Sequence, residues 1–355
     1  MFDDAAAVTD AWDQYDRGYT YGLFGTPTTL ELASRICELE QGYRTIITAG
    51  GQGAISLINL ALLSAGDHVL LPESVYGPNR RLANDVLRRF GVQVSFYEPT
   101  IGSGIAKIMQ PNTRLIWCES PGSITMEIQD VPAICEVAHA HRALVAADNT
   151  WSAGIYFDAF AHGVDITMQA LTKYVGGHSD LLLGSVTVRD HELYQKLGRT
   201  HQLMGCAASP DDCSLAMRGM KTLAVRLRAI HSTTMTIAHW LKARPEVAKV
   251  LHPAFPVCEG HELWKRDFTG STGVFSILLQ QSFSKRAVQH FVNSLELFKI
   301  GYSWGGVTSL AVAYDFSPYG ARSSYEHRIV RLNIGLESSD DLLADLDQAF
   351  GKASL

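Results

Sequence analysis

Residues 165–180 read DITMQALTKYVGGHSD, an apolar run that ends in a lysine. The run, residues 165–171, leads to Lys173, followed by two glycines, a histidine and an acid. Lysine prefers solvent, so an amine at the end of an apolar strand is either a surface charge or a group held where chemistry needs it. Upstream and downstream, short β-branched runs alternate with amphipathic segments. The expected strands are TIIT (45–48), HVLLP (68–72), VQVSFYE (92–98), RLIWCES (114–120), ALVAAD (143–148), DITMQAL (165–171) and GSVTVR (184–189). Helices are expected between many of them. GAISLINLALLSAG carries an apolar face and ends at Gly66, and DVPAICEVAHAHR starts at Asp130 as an N-cap. Such alternation predicts an α/β fold with a mostly parallel, seven-stranded sheet covered by helices. Ligands on such sheets bind beyond the carboxyl ends of the strands.

With 355 residues the chain is long for one core, and two domains are expected. Near 218–247 the pattern becomes one long helix, closed by Arg244-Pro245, followed by strands in GVFSILL and RIVRLNIG and a last acidic helix. The expected division is an arm (1–25), a large domain (26–221) and a smaller α+β domain (222–355). Net charge is −6 with both signs interspersed, which excludes a basic nucleic-acid surface. No apolar run approaches the roughly 20 residues that span a bilayer. The acidic N-terminus lacks the blocks of a signal peptide, so a cytoplasmic location is expected. The six cysteines form no CxxC pair. His139 and His141 point to different sides of a helix, and Lys265 stands where a second histidine would complete a zinc motif begun at His261-Glu262. No metal site is expected.

The strand ALVAADNTW ends in Asp148, facing the same crevice as Lys173. An acid and a lysine at two strand ends suit pyridoxal phosphate: the amine condenses with the aldehyde, and the acid keeps the ring nitrogen protonated. TAGGQGAIS (48–56) follows a strand and opens a helix, as a phosphate cradle does. Thr172 could add a hydroxyl to the same phosphate, and Tyr76, in PESVYGPN, could stack on the ring. A nicotinamide site is excluded, because GGQG lacks the GxGxxG spacing.

DNTW, ALTKYVGGHSD and ESPGSITMEIQDVPAI closely resemble the Cys/Met-metabolism family of pyridoxal-phosphate enzymes, of fold type I. GHELWKRDFTGSTGVFSILL, YSWGG and RLNIGLESSDDLLADLD resemble its bacterial cystathionine β-lyase branch, as does Ser123, where the γ-synthases and γ-lyases commonly carry asparagine. The resemblance runs from about residue 20 to the C-terminus. It implies that Lys173 carries the cofactor and serves as base, Asp148 faces the ring nitrogen, Tyr76 stacks and lines the substrate site, and Gly50 and Gly51 hold the phosphate. It further implies that Arg331 grips the substrate carboxylate, that Ser303 and Trp304 line the pocket, and that Tyr21 reaches the site from a neighbouring subunit of a homotetramer. The implied activity is cleavage of L-cystathionine, or a related cysteine S-conjugate, to a thiol, pyruvate and ammonia. The alternatives within the family are γ-elimination, β- or γ-replacement and a specialised C–S lyase. Against the family pattern Tyr-Gly-Arg-x-Gly, this chain reads YGLFG, with Leu23 replacing an arginine that reaches the neighbour's phosphate. The chain also begins late, and the segment SLAVAYDFSPYGARSSYEHR is shorter than its counterpart.

Overall fold

A computed structural model describes residues 2, 4–316 and 324–353; residues 317–323, part of the segment expected to be short, lie outside the described residues. All seven expected strands form: β1 (Arg44–Thr48), β2 (His68–Pro72), β3 (Gln93–Tyr97), β4 (Thr113–Glu119), β5 (Leu144–Asp148), β6 (Ile166–Gln169) and β7 (Gly184–Val188). They make one sheet in the order β1-β7-β6-β5-β4-β2-β3, parallel except for β7, which runs antiparallel to both neighbours. The central strands β2, β4 and β5 feed apolar side chains to both faces, as covering helices require, whereas β6 and β7 turn Thr167, Gln169, Ser185 and Thr187 to one of them. One face packs Ile116, Val145 and Ile134, the other Leu57, Leu115 and Ile166. A polar bond crosses the second core: the buried Trp117 indole donates to Asn59 at 3.0 Å.

The register sets what reaches the ligand crevice. Glu119, last in β4, pairs with Asp148, last in β5, and Asp148 pairs with Met168 of β6. Strand β6 is shorter than expected and ends at Gln169, so Lys173 is four residues beyond the strand, in a run of turns. The cause is visible in the hydrogen bonds. The Ala170 N–H goes to the Thr150 hydroxyl, and Thr172 N–H goes to the Leu183 carbonyl, so the ladder to β5 cannot continue.

Two other expectations are corrected. The long helix is broken into Pro210–Met220 and Leu223–Lys242, because the Thr222 N–H and hydroxyl both bond back to the Gly219 carbonyl. The second sheet has five strands, β8 (Val247–Leu251), β9 (Val274–Leu279), β10 (Lys299–Ile300), β11 (Leu310–Tyr314) and β12 (Ile329–Asn333), ordered β10-β11-β12-β9-β8. The sequence shows β9 and β12; β8, β10 and β11 are short and partly exposed, which hides their alternation. The helices at Gly51–Leu62 and Val131–Ala140 start near their expected positions, the latter capped by Asp130. The last helix covers Ser339–Ala353. Among the described residues, no helix is long and apolar enough to cross a membrane.

Among the described residues of the first 25, the helical elements are short turns. They are anchored on their own chain, with Trp12 5.0 Å from the Tyr194 ring and lying over Gly198, where a Cβ would collide with the indole. Asp13 accepts from Gln195 at 3.0 Å.

Replacing Asn59 by alanine leaves the Trp117 N–H buried without an acceptor. The expected loss is about 1–3 kcal/mol, read from the midpoint shift in urea unfolding. An unchanged midpoint would contradict the packing described for this face.

Candidate active site

A cavity of about 310 Å³ opens at the carboxyl ends of β4, β5 and β6. Its walls include Gly50, Gly51, Tyr76, Asp148, Thr172, Lys173 and Trp304. The structure thus gathers onto one site residues spread over more than 250 positions. Ser303 joins them, because its hydroxyl accepts from the Lys173 amine at 2.8 Å, and that amine is 5.3 Å from the centre of the Trp304 ring. Arg331 reaches in from β12. Its guanidinium donates to the backbone carbonyls of Ser123 (3.3 Å) and Tyr302 (2.6 Å), and it is only 5% exposed. No carboxylate among the described residues is within ion-pair distance of it. A buried cation without an anion is costly, so Arg331 is poised for one.

Burial is the main influence on the Lys173 amine, with the Arg331 charge next; together, against the pull of Asp148, they lower it from 10.5 to about 8. Near neutrality the amine is therefore deprotonated far more often than an ordinary lysine, supplying more of the neutral nucleophile and base. Burial also raises the Asp148 carboxyl, opposed by bonds from the Thr150 N–H and hydroxyl and by Lys173. A positive partner in the cavity would favour its ionised form.

One acid escaped the sequence reading. Glu119 is 8% exposed, lines the cavity beside Asp148 and accepts the Tyr76 N–H at 2.6 Å. Burial and the neighbouring Asp148 charge push its carboxyl well above the usual range. Two carboxylates at adjacent strand ends are not both ionised at low cost, and burial beside Asp148 favours the protonated form of Glu119. The argument that singled out Asp148, an acid ending an apolar strand, applies equally to Glu119 in RLIWCES.

These residues fit pyridoxal phosphate. The helix Gly51–Leu62 opens with Gly50 at φ 102° and no side chain capping its first N–H groups, so its N-terminus is free to bind an anion. Gly51 is required here, since a Cβ would sit 2.7 Å from that of Ala170. Asp148 suits a protonated ring nitrogen and Lys173 an aldehyde. Thr172 fits less simply: its hydroxyl accepts from the Leu183 N–H and donates to the Leu183 carbonyl, so a phosphate contact would replace the second bond. Tyr21 is absent from this cavity in its own chain and is 63% exposed; its carbonyl accepts from Gln14 and its ring meets Phe24 edge-on. Leu23 borders a small cavity with Trp12 and Tyr194.

Residues 2–351 match the family described as Cys/Met metabolism PLP-dependent enzyme. The chain belongs to this family. It is therefore a pyridoxal-phosphate enzyme of fold type I, as its two-sheet architecture and site already indicate. Among its relatives, cystathionine β-lyase MetC of Escherichia coli is 40% identical, over 94% of this chain and 86% of that protein. Cystathionine β-lyase of Bordetella avium is also 40% identical, over 96% and 85%. The solved cystathionine γ-synthase of Xanthomonas oryzae, in complex with cystathionine, superposes with a TM-score of 0.89 at 31% identity, covering 95% of this chain and 89% of that one.

The Lys173 environment makes a kinetic prediction. Only the neutral amine attacks an aldehyde, so condensation of the apo-protein with pyridoxal phosphate should accelerate with pH and level off above about pH 8. A rate still rising steeply toward pH 10 would show an ordinary lysine.

Proposed function

We propose that the protein is a carbon–sulfur β-lyase that cleaves L-cystathionine, or a related cysteine S-conjugate, to a thiol, pyruvate and ammonia. The observation that carries this reading is that Lys173 and Asp148 line one cavity while Arg331, bonded to Ser123 of its wall, is near enough for its charge to act on Lys173, in a chain alike throughout to two β-lyases. When bound, pyridoxal phosphate supplies an aldehyde for the substrate amine and a ring that takes up the electron pair released at Cα.

The side chains divide the remaining work. Arg331 binds the substrate carboxylate through its planar fork, a geometry lysine cannot copy. Trp304 and Tyr76 wall the site and limit water. Lys173, released from its covalent role by the substrate amine, removes the Cα proton, and Ser303 holds its Nζ in place beforehand. Asp148 stays ionised against a protonated ring nitrogen, which preserves the electron sink. Departure of the thiolate from Cβ completes the elimination, and hydrolysis gives pyruvate and ammonia.

γ-Elimination or replacement is the second reading, favoured by the likeness to the Xanthomonas γ-synthase, whose fold would serve the same proton removal. For assembly we adopt the homotetramer, with Tyr21 and Leu23 contributed across a dimer interface, in the cytoplasm. The exposure of Tyr21 outside its own cavity supports the crossing arm.

Incubation with L-cystathionine should release pyruvate and homocysteine. Release of 2-oxobutyrate and cysteine instead would overturn β-elimination in favour of γ-elimination. Arg331→Ala should raise KM by about ten- to a hundredfold, the equivalent of one charge-assisted contact, with the bound cofactor's yellow colour retained. A KM within twofold of the parent enzyme would remove Arg331 from carboxylate binding.

A further inference from the structure

The glycine pair in ALTKYVGGHSD has no part in the chemistry above, and its surroundings point to a residue outside the cavity. Arg226, in the first turn of the helix Leu223–Lys242, is 5% exposed. No carboxylate among the described residues is within ion-pair distance of it. Its guanidinium spends its donors on oxygens of the turn that carries Lys173 and of the helix break: Nη1 to the Tyr174 carbonyl (2.7 Å), Nη2 to those of Gly219 (2.9 Å) and Val175 (3.4 Å), and Nε to the Thr222 hydroxyl (3.1 Å).

The glycines make room for this clamp. Gly177 has φ 72°, and a Cβ there would lie on the Arg226 guanidinium. A Cβ on Gly219 would strike the Val175 and Gly176 carbonyls. The break between the two helices is part of the same device, since the turn at Thr222 both interrupts the helix and offers Arg226 its hydroxyl.

We propose that Arg226 is a positioning residue for Lys173. It fixes the carbonyls of the two residues that follow the lysine, and so holds the amine against Ser303 and the cavity. A buried guanidinium is costly unless its donors are satisfied. Three carbonyls and a hydroxyl at fixed angles satisfy a planar fork and do not suit a single ammonium. The inference rests on Lys173 being the cofactor-bearing amine.

Three variants test it: Arg226→Lys, which keeps the charge but loses the fork; Thr222→Val, an exposed site that removes one partner; and Gly177→Ala, which displaces the guanidinium. Each is read by kcat and KM on the substrate and by the rate at which the apo-protein's Lys173 condenses with pyridoxal phosphate. Arg226→Lys should lower kcat and the condensation rate at least tenfold while KM changes less than threefold, because Arg331 and Trp304 are untouched. Thr222→Val should lower both rates about threefold, and Gly177→Ala should resemble Arg226→Lys. If Arg226→Lys does not fold, the Thr222→Val result decides. Parent-like rates in Thr222→Val together with parent-like rates in whichever other variants fold would overturn the proposal, as would a defect confined to KM. A parent protein that never condenses at Lys173 would instead overturn the reading of the site itself.

Discussion

One hydroxyl joins the two halves of the site. Thr150 Oγ1 donates to the Asp148 carboxylate and accepts the N–H of Ala170 at 2.9 Å. The first bond, with that from the Thr150 N–H, orients the acid at the end of β5. The second takes the Ala170 N–H out of the sheet, ends β6 and begins the turn that delivers Lys173. Acid and amine come from neighbouring strands, yet a continuous β6 would carry the lysine along the sheet past the crevice. The side chain two residues beyond Asp148 prevents that.

Around this hinge the electrostatics are set by burial more than by pairing. Lys173 and Arg331 lie close enough for each positive charge to matter to the other, and neither is matched by a carboxylate in ion-pair contact among the described residues. Asp148 and Glu119 are two acids side by side, and burial raises both carboxyls, Glu119 the more strongly. A site arranged in this way favours ligand groups of complementary charge. An anionic substrate carboxylate at Arg331 and a positive ring nitrogen at Asp148 would each supply such a group. Binding energy at such a site derives from groups whose desolvation folding has already imposed.

Much of this was legible in the sequence for a simple reason. Buried parallel strands are nearly continuous β-branched and apolar runs, so β1 to β7 and the polar residues that end them stand out. Asp148 and Arg331 are polar groups in places where apolar ones belong, and the glycines at 50 and 51 open a helix. The signals fail where tertiary contacts decide. Nothing in Met220–Lys221–Thr222 marks a helix break, which exists because Thr222 turns back onto Gly219. Arg226 lies among other arginines on an amphipathic helix and reads as a surface charge until the Lys173 turn is seen lying on it. The two-residue strand β10 has no pattern to read, and the fate of the Thr172 hydroxyl depends on Leu183, eleven residues away. The roles given to Tyr21 and Leu23 came from family likeness alone, since neither touches the cavity of its own chain.

The chemistry of the site depends first on which amine carries the cofactor. Borohydride reduction of the yellow protein, followed by proteolysis and mass spectrometry, locates the fixed pyridoxyl group. The account predicts a single labelled peptide containing residues 170–180, with the added mass on Lys173. A label on any other lysine, or a protein that takes up pyridoxal phosphate without fixing it on reduction, would contradict it.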